Sequence, residues 1–129
     1  MLRIRDAQMH ALAAANDESR VAAIVDRLYL EHPGHVVGQT REQVRRRVAS
    51  ALRRARGFGL RDDRDLHAFG LLCIIISEAF DTHPPFQRVL VDPAVPPEEK
   101  MTRLFQGATE ADWQAAAALL PSHPSRETR

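Results

Sequence analysis

One cysteine, one lysine and no long apolar run set the first limits on this chain of 129 residues. A single thiol, Cys73, excludes an intrachain disulfide and any metal cluster built on several thiolates. Cys73 lies inside an apolar stretch, where a thiol acts as a small hydrophobe. The longest stretch free of polar side chains, Ala68 to Ile76, is nine residues, whereas a bilayer span takes about 20. Arg3, Arg5 and Asp6 are followed by no continuous apolar segment, so the start carries no signal-peptide pattern. A soluble protein located in the cytoplasm, without membrane contact, is expected.

Catalytic patterns are missing as well. Ser77 falls within an apolar helix and has no glycine elbow around it, and Cys73 lacks the exposed, electropositive setting of a reactive thiol. His32 with His35, and Asp81 with His83, are the close pairs that metal binding would use, but both stand beside helix breakers and neither has metal-ligand spacing on one helix face. Asp62 with Asp63 and Glu98 with Glu99 are carboxylate pairs placed where the dipole of a starting helix favours them. His67 reads as a core histidine with one bond to backbone. With no set of nucleophile, base and orienting acid, the chain is read as a non-enzyme that needs no metal and no cofactor.

What is present is helical. The composition, 44% hydrophobic and 27% charged, is that of an ordinary globular domain, and the length suits one domain. Ile4 to Ala15 has helical composition, and Asn16 or Asp17 is expected to cap a second helix from Ser19 to His32, with Val21, Ile24, Val25 and Leu28 inward. Thr40 and Gln43 form a capping box before a helix whose buried stripe is Val44, Val48, Ala51, Leu52 and Ala55. Gly57 and Gly59 stop it. Asp62 or Asp63 opens the next helix, apolar nearly all round through Ile76 and therefore expected to be wrapped by the others.

Pro84 and Pro85 break the chain and leave Phe86 to Val91 as a short helix. Pro96 and Pro97 start another, with Met101, Leu104 and Phe105 on its buried side, and Thr109 with Asp112 caps the last, which contains Trp113. Only Val89 to Val91 has a strand-like pattern, too short to seed a sheet. The expectation is an all-α fold: a single compact bundle of five to seven helices around a buried central helix over residues 1–120, with a flexible tail at 121–129.

Charge is unevenly placed. Met1 to Asp65 holds thirteen basic and nine acidic residues, Leu66 to Arg129 five and eight. Seven arginines, Arg41, Arg45, Arg46, Arg47, Arg53, Arg54 and Arg56, occur within sixteen residues against the one acid Glu42. At 100° per residue they spread around the exposed surface of their helix, and do not gather along one groove-tracking face as nucleic acid would require. A solvated face and a docking surface for an acidic protein remain, the second suited to the bidentate guanidinium fork.

From Arg53 to Phe105 a further pattern emerges: Arg54-Ala55-Arg56-Gly57-Phe58-Gly59-Leu60, then Asp62-Asp63-Arg64-Asp65-Leu66, an apolar helix, Phe80-Asp81, Asp92-Pro93-Ala94 and Pro96-Pro97-Glu98-Glu99-Lys100. This order resembles small helical proteins encoded beside effectors of the bacterial type VI secretion system, some of them co-chaperones or adaptors for effector loading. Ile4, Arg5, Gln8 and Met9 are similar to the way such proteins begin, whereas His67, Ala68 and Phe69 depart from a more aromatic and acidic helix face. The resemblance implies a non-enzymatic role and a protein partner, an effector or its chaperone, and assigns no binding residue.

From residue type, the expected contacts are Arg45, Arg46, Arg53 and Arg56 as charged donors with Phe58 and Phe86 as aromatic anchors, since arginine and aromatics dominate interface energies. Two other readings stand beside this one. An immunity protein would present Asp62, Asp63, Asp65, Asp81 and Asp92 to a basic toxin. A nucleic-acid binder would use the arginine-rich helix.

Overall fold

The first three helices meet at a residue without a side chain. The computed structural model describes the backbone of residues 2–119 and the side chains of residues 17–119. In it α1 (Leu2–Glu31), α2 (Arg41–Gly57) and α3 (Asp63–Ile75) converge on Gly70 of α3. A Cβ there would stand 2.9 Å from Ile24 Cδ1 on α1, and 3.6 and 3.7 Å from Val48 Cγ1 and Leu52 Cδ2 on α2. α2 is antiparallel to α1, since Asp17 pairs with Arg56 at one end and Asp26 with Arg41 at the other. α3 follows the direction of α1, with Arg20 meeting Asp63 and Arg27 meeting His67.

Three shorter helices complete the bundle: α4 (Pro84–Val91), α5 (Pro97–Gly107) and α6 (Glu110–Ala117), with 3-10 turns at Pro33–His35 and Phe80–Thr82. The fold is thus all-α, with six α-helices and no strand among the described residues. Val89 to Val91, the strand-like triplet, is the last turn of α4. No helix of the described residues is long and apolar enough to cross a membrane.

Local chemistry sets the boundaries. The amide of Gln43 donates to Thr40 Oγ1 at 3.0 Å and that of Thr40 to Gln43 Oε1 at 2.9 Å, a reciprocal box that satisfies two free amides at the start of α2. Thr109 and Asp112 repeat the device on α6 at 3.1 and 3.0 Å. At the end of α2, Leu60 N–H donates to Ala55 O and Gly59 N–H to Arg56 O, at 3.1 and 2.9 Å. That is a Schellman closure, which requires the left-handed φ of +95° seen at Gly59. Gly57 is still helical, so Gly59 alone of the two expected glycines carries the turn.

The core is one apolar cluster. Val44, Val48, Ala51, Leu52 and Ala55 are the buried residues of α2, as their spacing predicts. They meet Val21, Ile24, Val25 and Leu28 of α1 and Leu66, Phe69, Cys73 and Ile74 of α3. Phe69 packs at 4.9 Å from Phe80, and Phe86 of α4 at 4.9 Å from Trp113 of α6.

The structure differs from the sequence reading in two places. α1 is one continuous helix with no break at Asn16 or Asp17, because Asp17 engages Arg56 across the helix pair and caps nothing. Phe105 is 44% exposed rather than inward. By contrast, α3 is the buried central helix that was expected: α1, α2 and α5 cover Leu66, Phe69, Gly70, Cys73 and Ile74, and the half-buried Ala68, Leu71, Leu72 and Ile75 pack against the same core. The tail expected from Pro121 lies outside the described residues.

Candidate interaction surface

The seven arginines of α2 divide by their partners. Arg54 is the most extensively bonded: it donates to both carboxylate oxygens of Asp81 at 3.2 and 3.1 Å, to Glu78 O at 2.7 Å, and reaches Cys73 Sγ at 3.2 Å. Arg47 is held by Glu78 at 2.6 Å and by the Gln39 side chain. Arg56 donates to both oxygens of Asp17, at 2.8 and 2.7 Å. Those hydrogen bonds from Arg56 hold the Asp17 carboxyl below its ordinary range, against the opposing effect of burial, with Arg20 assisting. Arg41 pairs with Asp26 and lies 4.9 Å over the Tyr29 ring.

Arg45, Arg46 and Arg53 are different. The first two share one carboxylate, Glu42, at 3.3 and 3.4 Å, and the Arg45 bond with its charge keeps that carboxyl below its usual range. Arg53 makes no ion pair among the described residues. All three are exposed, so this stretch of α2 presents three guanidinium groups against one carboxylate. Of the four arginines expected at a binding site, the structure places Arg45, Arg46 and Arg53 on this open surface and Arg56 in the α1–α2 clamp.

The expected aromatic anchors are inside. Phe86 is buried between Phe80, His83 and Trp113. Phe58 is half-buried, 6.1 Å from Phe69, and its carbonyl accepts from Lys100. The exposed aromatic is Phe105, 5.7 Å from Trp113. Nothing in the spacing of α5 distinguishes it from Met101 and Leu104, since all three fall within one helical turn.

The acidic residues are largely engaged. Asp81 is buried against Arg54, Asp63 pairs with Arg20, and Asp92 accepts from the amide of Ala94 at 2.9 Å. Asp65 is only 7% exposed, and its Oδ2 has no hydrogen-bond partner among the described residues. Burial, then the neighbouring Asp62 charge, raises the Asp65 carboxyl above its ordinary range.

The histidines and the thiol offer little reactive chemistry. His67 is half-buried and contacts Arg27 Nη1 at 3.1 Å through Nε2, not the backbone. Burial and then the charges of Arg27 and Arg20 lower its pKa, which favours the neutral ring whose Nε2 can accept from the guanidinium. His83 Nε2 meets Asp112 Oδ1 at 3.1 Å, tying α6 to the start of α4. The rings of His32 and His35 are 6.2 Å apart, and among the described residues no three His, Cys, Asp or Glu side chains converge as a metal site. Burial pushes the Cys73 thiol up to about 12.

Among the open depressions of the described surface, four are bordered as follows. One of about 440 Å³ between α1 and α3 is bordered by Ser19, Arg20, Asp63 and His67. Another of about 560 Å³ lies at Gly59, Asp62 and Pro97, and a third of about 490 Å³ at Gly38, Gln43 and Arg46. The fourth, about 280 Å³, is a groove between α1 and α2 lined by Asp17, Glu18, Val21, Arg45, Ala49, Leu52 and Arg53.

Comparison with known protein families, curated proteins and solved structures finds no match to this chain.

Proposed function

We propose that the protein is a non-enzymatic cytoplasmic adaptor that binds an acidic protein surface through the exposed arginines of α2. The observation that carries this reading is the split among those arginines. Arg41, Arg47, Arg54 and Arg56 are matched by carboxylates of other segments, whereas Arg45 and Arg46 share Glu42 and Arg53 has no ion pair among the described residues. An excess of one sign on a rigid helix steers an oppositely charged partner and fixes its register. The resemblance of the residue pattern to accessory proteins of type VI secretion effectors supports an effector or its chaperone as that partner.

The test is coexpression with the neighbouring effector, followed by copurification of the wild-type chain and of Arg45→Glu/Arg46→Glu/Arg53→Glu. Copurification that is lost in the triple variant, while effector toxicity is the same with and without the chain, supports the adaptor. Unchanged copurification removes the arginine surface. Rescue from toxicity makes the protein an inhibitor of the effector instead.

A further inference from the structure

We infer that the groove between α1 and α2 receives a helix of the partner as a fourth member beside α1, α2 and α3, with carboxylates on the edge that faces α2. The inference rests on the adaptor reading and names the chemistry of what is bound.

The groove is open to solvent and no residue of α3 to α6 lines it. α3 packs against α1 and α2 through Gly70, and among the described residues only α1 and α2 line this side of the pair. Its floor is apolar, formed by Val21 and Leu52 with the small side chain of Ala49 between the rims. An alanine there lets a second backbone approach closely while flanking side chains reach around it.

Charge selects the occupant. Arg45, Ala49 and Arg53 stand on successive turns of one face of α2, since residues four apart align on a helix. The two guanidinium groups are eight residues apart, about 12 Å at 1.5 Å per residue. A helix lying along α2 matches them with acidic residues seven or eight positions apart and an apolar residue midway, the helix-in-groove mode of recognition. The opposite wall is chemically distinct: Asp17 is engaged by Arg56 and Arg20, which leaves Glu18 to meet a basic or neutral edge.

The probe is a fluorescently labelled 18-residue synthetic helix, with an apolar leucine ridge and glutamates eight apart along one edge, and a second peptide with lysines at those positions. Fluorescence anisotropy with the full chain is expected to show saturable binding of the glutamate peptide, at least tenfold tighter than the lysine peptide. Glu18→Arg, which adds a third positive group to the rim, is expected to tighten it severalfold, a gain that misfolding does not mimic. Ala49→Trp fills the floor and is expected to weaken binding at least tenfold, with Arg53→Glu, at an exposed site, doing the same. Binding that responds to Arg45→Glu/Arg53→Glu but not to Ala49→Trp or Glu18→Arg overturns the groove and leaves the arginine surface standing. Binding indifferent to all of these variants overturns both, and absence of saturable binding to the wild-type chain overturns the groove.

Discussion

Lys100, the one lysine of the chain, donates from Nζ to the carbonyl of Phe58 at 2.9 Å. A second bond goes to Leu90 O, so one buried ammonium closes the C-terminal ends of both α2 and α4. Two carbonyls at the negative ends of helix dipoles take the place of a carboxylate. Lys100→Met keeps most of the aliphatic volume and orphans both acceptors. It is expected to destabilise the fold by about 2–4 kcal/mol, because bonds to charged groups contribute about 1.5–3 kcal/mol each and are not additive. Urea unfolding of both proteins measures this, and an equal or higher midpoint for the variant would contradict the assignment.

Adjacent arginines should behave oppositely. Arg54 neutralises Asp81, whose side chain is nearly inaccessible, whereas Arg53 is exposed and has no ion pair among the described residues. Arg54→Ala strands a buried carboxylate and is expected to cost about 3–5 kcal/mol, the usual result of removing one partner of a buried pair. Arg53→Ala should change stability by less than about 0.5 kcal/mol, as surface substitutions do. Thermal unfolding in parallel decides, and equal losses at the two positions would refute the division of α2 into clamping and exposed arginines.

How much of this was legible in the sequence depended on whether the signal was periodic or pairwise. The stripe Val44, Val48, Ala51, Leu52 and Ala55 and the two capping boxes are short-range patterns, and the structure has them where the spacing puts them. Asp17 could be misread as a cap because its role is set by Arg56, 39 residues away. Arg54 and Lys100 became structural for the same reason, through partners at Asp81 and Phe58 on other elements. The exposure of Phe105 likewise depends on where α6 lies. Periodicity thus told which arginines leave the core stripe, and only the fold told which of them are already paired.

Asp65 predicts a reversed pH response. Its folded-state pKa is raised by burial first and by Asp62 second. A group raised on folding favours the native state most below its unfolded pKa, near the ordinary 3.8, and that contribution is lost as pH rises through the folded value. Asp65→Asn removes the charge that is penalised at neutral pH. The variant should therefore melt higher than wild type at pH 7, with the gap closing as pH falls below the ordinary carboxylate range. A lower melting temperature at pH 7 would mean that Asp65 Oδ2 has a partner in solution.

Gly59 and Gly57 offer the sharpest contrast within one helix end. Gly59 has a φ of +95°, and a Cβ there would also approach Pro97 Cγ at 3.4 Å. Gly57 is helical, with nothing near a Cβ. Gly59→Ala is expected to destabilise by about 1–2 kcal/mol, the left-handed penalty of an L-residue, and to loosen the closure that seats Leu60 in the core. Gly57→Ala should stabilise by up to about 1 kcal/mol, because alanine loses less entropy in a helix. Denaturant midpoints for the two variants check both signs at once. Destabilisation at Gly57 equal to that at Gly59 would place the turn two residues earlier and undo the assignment of the Schellman closure to Gly59.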